Sequence, residues 1–493
     1  MATKKPATLD LAGESGLTVA PAMTTRWQLP FSERRLLLMA GDVIASLIAV
    51  ALALAVWMYK ANSILGPEFI VHQLHWFAIL PCLWWLLAAA NDYYSLTVAS
   101  HVWTSILRLM QISAQLLLAY MLIFFLSPPA SLPRLFIVYY AIISLLLLGL
   151  WRACRLAVIG WSGQRRRVVI VGAGGAGRVI VDALREEASA DYEIVGYVTS
   201  SLDEALPAYQ LEGVPYLGTA KDLSQMVRER GIAEIVMAYI NEIPSDAFQG
   251  VIAGYEQGAN VVPMPMLYEQ ISGRISVEHV GENLWAHVLA PAPHVVSHNA
   301  YRMAKRLIDI VFSLIGMLLF LPLLPLLALA IKLDSRGPIF YVQTRLGRSG
   351  RPFHIVKLRT MAADAESGSG PRWAHQGDPR ITRMGRFLRR SRLDELPQMV
   401  NVLRGEMSIV GPRPERPEFV DMLTMEIPYY RARLAVKPGL TGWAQVRYRY
   451  GSSVEDALRK LQYDLYYIRH QSVLLDMLIM FRTVSTVFLF KGT

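Results

Sequence analysis

From Leu307 to Leu333 the chain is strongly apolar, and it carries Pro322 and Pro325 in the middle of that run. A stretch of this length can cross a bilayer, where the backbone must satisfy its own polar groups as a helix. Each proline removes one helical hydrogen bond and kinks the axis. Lys305 and Arg306 flank one end, while Lys332, Arg336, Arg345 and Arg348 flank the other. Basic flanks stay on the cytoplasmic side, so a segment basic at both ends is expected to enter one leaflet and turn back. That re-entrant helix would cover 305–334, with its break at Pro322. The competing reading is a kinked full span, which would carry everything beyond it across the membrane.

Four more apolar runs lie upstream: Leu36 to Tyr59, Trp76 to Ala90, Leu109 to Leu126 and Leu135 to Leu150. Lys4, Lys5, Arg34 and Arg35 precede the first, and Arg152, Arg155, Arg165, Arg166 and Arg167 follow the fourth. Both ends of a four-span bundle would therefore face the cytoplasm. Asp42, inside the first run, is either functional or a polar contact within the bundle. Composition agrees, because 53% hydrophobic and 18% charged residues are too apolar for an ordinary soluble protein. The net charge of +10 suits lipid headgroups and phosphate, and no nucleic-acid-binding motif accompanies it. Cys82 and Cys154 both fall in apolar runs, which supports neither a disulfide framework nor a cysteine metal site. The polar first thirty residues contain no recognisable cleavable signal peptide.

After the fourth run comes Arg167-Val168-Val169-Ile170-Val171, then a turn with GxGxxG spacing at Gly172, Gly174 and Gly177, then a helix from Arg178 to Glu187. A buried strand feeding a glycine-rich helix start lets a phosphate approach the helix N-terminus. Glu193 to Val198 and Ala233 to Tyr239 read as further strands of a parallel sheet. The second strand lacks an acid at its end to hold a ribose, and Asp203 comes late. A Rossmann-like module used for packing or regulation is thus as admissible as a nucleotide site.

The chemistry concentrates at Arg389-Arg390-Ser391-Arg392-Leu393-Asp394-Glu395-Leu396-Pro397-Gln398. Two adjacent carboxylates stand in a field of arginines, which favours their anionic form. Pro397 suits a first helical turn, with Asp394 near the N-cap. An ionised Asp394 could attack phosphorus while Lys357, Arg359, Arg389 and Arg413 bind phosphate oxygens. Glu395 could hold Mg²⁺, which takes few protein carboxylates plus substrate phosphates. A plain helix cap beside a solvated basic face remains the alternative. Gly411-Pro412-Arg413-Pro414 is a stiff turn that would fix its arginine. Gln398, Asn401, Lys437, Thr441 and Gln445 could shape a nucleotide site or merely hold turns. Ala363 to Gln376 is a polar, glycine-rich loop able to close over substrate, and Tyr463 to Arg469 and Leu474 to Leu489 would lie on the membrane or pack together.

The blocks Asp394 to Gln398, Asn401 to Ser408, Val410 to Pro414 and Lys437 to Gly442 resemble the bacterial polyprenol-phosphate hexose-1-phosphate transferases, and the likeness runs from about Tyr301 to Thr493. The resemblance implies a monotopic phosphoglycosyl transferase domain with a re-entrant helix, in which Leu321 stands where the family usually has a polar residue before the proline. It also implies transfer of a hexose 1-phosphate from a UDP-hexose, glucose or galactose, to undecaprenyl phosphate. The products would be undecaprenyl-diphosphate-hexose and UMP, in the first step of exopolysaccharide, capsule or O-antigen synthesis. Asp394 would carry the phosphosugar covalently, although direct transfer is open. Downstream glycosyltransferases would take the product.

The expected fold is therefore a membrane α/β protein. A polar tail (1–33) precedes a four-helix transmembrane bundle (34–160), a Rossmann-like α/β middle domain (165–300) and the catalytic domain (301–493) on the cytoplasmic face of the bacterial inner membrane. The layout allows a homodimer through the bundle or the middle domain. One rival is a membrane-anchored NAD-dependent nucleotide-sugar epimerase or dehydratase, drawing on the glycine loop and on Tyr301-x-x-x-Lys305. The other is a non-enzymatic scaffold for polysaccharide assembly, which would leave Asp394 and Glu395 without a purpose.

Overall fold

The computed structural model describes residues 31–61, 75–91, 93–94, 102–126, 135–158, 165–189, 191–200, 210–239, 242–278, 298–362, 378–448 and 453–488. The polar tail before residue 31, Asp203 and the loop 363–376 lie outside the described residues.

Four apolar helices come first: α1 (Phe31–Ala61), α2 (Trp76–Ala90), α3 (Val102–Leu126) and α4 (Phe136–Val158). They share one core in which Leu38, Trp84, Ile112 and Tyr140 are fully buried. Their outer faces expose Ile44, Leu107, Leu118 and Leu146, as a surface meeting lipid would. Asp42 is resolved as an internal contact: its Oδ2 accepts from Arg152 Nη2 at 2.6 Å, pinning α1 to α4. The Arg152 guanidinium also lies 4.2 Å from the centre of the Tyr93 ring. Among the described residues, Leu38–Lys60, Phe136–Cys154 and Asn299–Asp334 are long and apolar enough to cross a membrane. The 15-residue α2 rises only about 22 Å, short of a hydrocarbon core of about 30 Å.

The α/β unit is a parallel sheet in the order β3-β2-β1-β4-β5, made of β1 (Arg166–Val171), β2 (Tyr192–Thr199), β3 (Tyr216–Thr219), β4 (Glu234–Met237) and β5 (Asn260–Pro263). Its central strand β1 is buried on both faces, which explains the unbroken Val168–Val171 run. Helices α5 (Gly175–Glu187) and α8 (Met264–Ser272) cover one face, and α6 (Leu223–Arg230) and α7 (Ser245–Glu256) the other. Gly172 has φ +103°, and a Cβ on Gly177 would sit 2.7 Å from the Gly172 carbonyl, so α5 can approach β1 only without one.

The C-terminal unit begins with α9 (His298–Asp334), a 37-residue helix that includes Pro322 and Pro325. The hairpin β6 (Phe340–Leu346) and β7 (Pro352–Leu358) follows. Next come α10 (Arg383–Ser391), α11 (Met399–Arg404), β8 (Ser408–Val410), α12 (Pro417–Glu426), β9 (Gly439–Thr441), α13 (Trp443–Arg447), α14 (Val454–Arg469) and α15 (Val473–Phe488).

Both ends of α9 are tied to this unit. Arg306 donates to the carbonyls of Val402 and Leu403, each at 2.7 Å, and Asp309 accepts from Ser408 Oγ and Ile409 N. At the other end, Phe320, Leu327 and Ile331 pack on Leu358 and Leu388. Between them Leu318, Leu319, Leu326 and Leu329 are exposed.

The amphipathic stretch Tyr463 to Arg469 lies within α14 and packs inside the protein. Ile275 N donates to Gln462 O at 3.1 Å, and Arg469 and His470 both meet Glu269. The apolar α15 packs against α2, where Arg482 Nη2 donates to Ala89 O at 3.3 Å.

Candidate active site

Helix α10 starts at Thr382, whose hydroxyl accepts from Gly385 N at 3.0 Å, and ends in Arg392 at φ 58°. This left-handed residue is not glycine, so the turn carries strain next to the carboxylates. The chain then coils as a 3₁₀ turn, Leu393–Gln398, before α11 begins at Met399. Asp394 is thus inside a turn rather than at the N-cap expected from Pro397. The reversal at Arg392 winds the chain before it reaches Asp394, so the capping position falls to Arg392.

Glu395 is only 7% exposed and is held by three cations. Its Oε1 accepts from Arg413 Nη2 at 2.7 Å and from Lys357 Nζ at 3.3 Å, and its Oε2 faces Arg392 Nη1 at 3.7 Å. Burial alone would raise its carboxyl, but Arg413, Lys357 and Arg392 outweigh that and hold it well below the usual carboxylate range.

Asp394 behaves differently. Burial and the neighbouring Glu395 charge raise its carboxyl above the ordinary value of 3.8, against the pull of Lys357, Arg389 and Arg413. The cation field expected to favour both anions acts chiefly on Glu395, which bonds the cations directly, and does not offset the burial of Asp394. Asp394 Oδ1 is buried with no hydrogen-bond partner. An acceptor left bare in this way is suited to a reacting atom or a cation.

The other expected residues divide. Gln398 is buried and, with Lys357 and Arg413, lines a cleft beside Glu395. Arg389 donates to Thr360 Oγ1 at 2.9 Å and acts on Asp394 through its charge. Arg359 is turned away: it donates to the carbonyls of Ser335 and Arg336 at 2.7 and 2.8 Å, just beyond the end of α9. Lys437 stands beside Arg306 and Asp309, and Thr441 Oγ1 is 2.6 Å from Thr483 Oγ1. Neither joins the groups bonded to Glu395.

Arg345, whose position suggested a membrane flank, lines the cleft from β6, and Arg392, read in the sequence only as one of a field of arginines, reaches Glu395 from the strained turn.

The glycine-rich loop and the Tyr301/Lys305 pair lie apart from these carboxylates. A Cβ on Gly172 would sit 3.3 Å from the Tyr239 ring, whose hydroxyl accepts from Ser200 N. Tyr301 and Lys305 both bond Asp476 at 3.0 Å in a buried network of α9, α14 and α15, which accounts for the pair structurally.

Mg²⁺ was expected on Glu395. Among the described residues no group of three or more His, Cys, Asp or Glu forms a metal site. The bare Asp394 Oδ1 and the loosely held Glu395 Oε2 nonetheless fit an ion whose other ligands are phosphate oxygens and water.

Residues 300–490 match the model of a family described as bacterial sugar transferase, and 89–240 match a CoA-binding domain. The UDP-glucose:undecaprenyl-phosphate glucose-1-phosphate transferase of Escherichia coli is 32% identical over 73% of this chain and 76% of its own length. The enzyme of the same name from Caulobacter vibrioides is 46% identical over 40% of this chain and 73% of its own. The UDP-N-acetylgalactosamine-undecaprenyl-phosphate N-acetylgalactosaminephosphotransferase of Aeromonas hydrophila is 41% identical over 46% of this chain. The match spans about half of that relative, 52%.

Proposed function

This chain belongs to the bacterial sugar transferase family, and we propose that it transfers a hexose 1-phosphate from a UDP-hexose to undecaprenyl phosphate, releasing UMP. The observation that carries this reading is the contrast within Asp394-Glu395. Glu395 is fixed by Arg413, Lys357 and Arg392, while Asp394 Oδ1 is left without a partner. Relatives named for glucose 1-phosphate and for N-acetylgalactosamine phosphate transfer support the substrate class, with glucose or galactose as the sugar proposed here.

In the proposed mechanism an Asp394 carboxylate oxygen attacks the phosphorus bearing the sugar. The bond from that phosphorus to the bridging oxygen breaks, and UMP leaves with the electron pair. A phosphate oxygen of undecaprenyl phosphate then attacks the same phosphorus, and Asp394 departs as carboxylate. The acceptor is already an anion, so no general base is needed. Arg413 and Lys357 keep Glu395 ionised and line the path of the diphosphate. Glu395 and Asp394 are the carboxylates that would hold Mg²⁺, which would supply charge neutralisation on the phosphates.

The re-entrant form of α9 is part of the same proposal. A straight helix of 37 residues would be about 55 Å long. Support comes from both of its ends being bonded to the C-terminal unit, through Arg306 at one and Arg359 just beyond the other. With α1–α4 as a four-span bundle, in which the short α2 would require the bilayer to thin around it, this topology leaves Asp394 on the cytoplasmic face of the inner membrane, where nucleotide sugars are found. The Rossmann-like unit would serve packing or regulation, a role supported by Tyr239 lying over Gly172.

The test is UMP release by the purified chain with Mg²⁺, undecaprenyl phosphate and a panel of UDP-sugars, including UDP-glucose, UDP-galactose and UDP-N-acetylgalactosamine. Release from one sugar that depends on the lipid and vanishes in Asp394→Asn supports the reading. Release indifferent to lipid or to Asp394 contradicts it.

A further inference from the structure

The Pro412–Glu415 turn, which carries Arg413 into the site, is held at each of its four carbonyls. Pro412 O accepts from Gly439 N at 2.8 Å, and Glu415 O from Leu346 N at 3.0 Å. The middle two are held by side chains: Arg413 O accepts from Arg433 Nη2 at 3.1 Å, and Pro414 O from Arg345 Nη1 at 3.2 Å. Arg433 has three further partners: it donates from Nη2 to Asp464 Oδ2 at 2.8 Å and from Nη1 to the Tyr430 hydroxyl at 2.7 Å, and its Nη1 faces Glu415 Oε1 at 3.9 Å. Arg433 is 6% exposed and Asp464, on α14, is 2% exposed. Neither is bonded to Asp394 or Glu395.

We propose that Arg433, oriented by Asp464 and Tyr430, is a positioning residue that acts through Arg413. The inference rests on the transferase reading above. Its physical basis is directional. Arg413 must place one nitrogen within hydrogen-bond reach of Glu395, and its backbone can drift only if the carbonyls of the turn lose their donors. The two flanking prolines fix their own φ, and Pro414 confines Arg413 to extended backbone; within that range the Arg433 bond to the Arg413 carbonyl fixes the orientation of the peptide plane. A planar guanidinium can reach the carbonyl, the carboxylate and the hydroxyl at once, which a lysine ammonium on a flexible stem cannot do with the same geometry. Misplacement of a catalytic group by about 1 Å can cost on the order of a hundredfold in rate.

The test is a double-mutant cycle on the full chain, reading kcat and KM for UMP release together with thermal stability. Arg433→Lys keeps the charge opposite Asp464 and loses the fork. Its kcat is expected to fall about tenfold with KM for the UDP-sugar little changed. In an Arg413→Lys background the same change should cost almost nothing more, because the positioned group is already gone. Tyr430→Phe is the milder second variant, expected to lower kcat a few-fold at unchanged melting temperature and again to be silent beside Arg413→Lys. Losses that multiply in the double mutants overturn the inference, as does a kcat loss that follows melting temperature alone. A wild-type chain with no lipid-dependent UMP release would instead overturn the transferase reading, and this role with it.

Discussion

Arg413 Nη2 stands 2.7 Å from Glu395 Oε1, and that contact separates two neighbouring acids into two roles. Glu395 bonds the cations and stays ionised. Asp394, next to it in sequence, keeps a bare oxygen and a raised pKa. A pair of titratable groups pushed apart by their surroundings is what a site needs in order to hold one charge fixed and spend the other.

Removing the nucleophile should abolish turnover while leaving the fold intact. Asp394→Asn is expected to lower kcat on the order of a thousandfold, with a melting temperature equal to or above that of the parent. Because Asp394 Oδ1 is buried without a hydrogen-bond partner, the neutral amide relieves the desolvation of the carboxylate and its repulsion from Glu395, and breaks no hydrogen bond at that atom. Steady-state kinetics and a thermal melt check both halves.

Replacing Arg413 by lysine should cost activity on the order of a hundredfold. The variant loses the short contact to Glu395, so the Glu395 carboxyl should also titrate closer to its ordinary range. The acid side of the pH–rate profile, compared with that of the parent, reads this directly.

The pH dependence of the parent has a defined sign. The attacking form of Asp394 is the carboxylate, and burial together with Glu395 raises its folded pKa above 3.8. Activity should therefore be full at neutral pH and fall as pH drops through a value above that of an ordinary aspartate. The limb belongs to the Asp394/Glu395 pair as a unit. A profile of kcat against pH between 4 and 8 measures it, about four units being enough to bracket one ionisation.

Glycine at position 411 is a requirement of packing. A Cβ there would lie 2.4 Å from the Lys437 carbonyl and 2.9 Å from Gly439 N. Gly411→Ala must push β8 and β9 apart and should destabilise the C-terminal unit by about 1–3 kcal/mol. Denaturation of the purified variant, followed alongside activity, tests this.

The pin between α1 and α4 should be structural. Arg152→Ala leaves Asp42 buried without its partner, and breaking a buried pair typically costs about 3–5 kcal/mol. The double change Asp42→Asn with Arg152→Gln should recover much of that loss. Thermal melts in detergent compare the three proteins.

Much of the site was legible because its parts are close in sequence. Asp394, Glu395, Gln398 and Arg413 lie within one short stretch, and the turn prolines announce the stiffness of the segment. What could not be read depends on tertiary neighbours. Arg359 follows Lys357 by two residues, just past β7, but only the end of α9 shows that its guanidinium belongs to the Ser335 and Arg336 carbonyls. Arg345, Arg433 and Asp464 enter from β6, from the stretch before β9 and from α14, and no local pattern marks them as support for one turn. In the fold, the glycine spacing and the apolar strand gave away the parallel sheet. The partner of Asp42 lies 110 residues away in α4 and was hidden among arginines that read only as flanking charge. Tyr463 to Arg469 looked as suitable for a lipid surface as for a protein one. It packs inward because Gln462 and the arginine that follows it on α14 find partners at Ile275 and Glu269.

The central claim is that Asp394 itself carries the sugar phosphate between donor and lipid. The most direct measurement is to incubate the full chain with Mg²⁺ and a UDP-hexose radiolabelled in the sugar, without lipid, and to follow label on the protein. The account predicts label bound to the parent chain, absent from Asp394→Asn, and chased into lipid when undecaprenyl phosphate is added. An active parent that never holds label, or an Asp394→Asn variant that does, would contradict it.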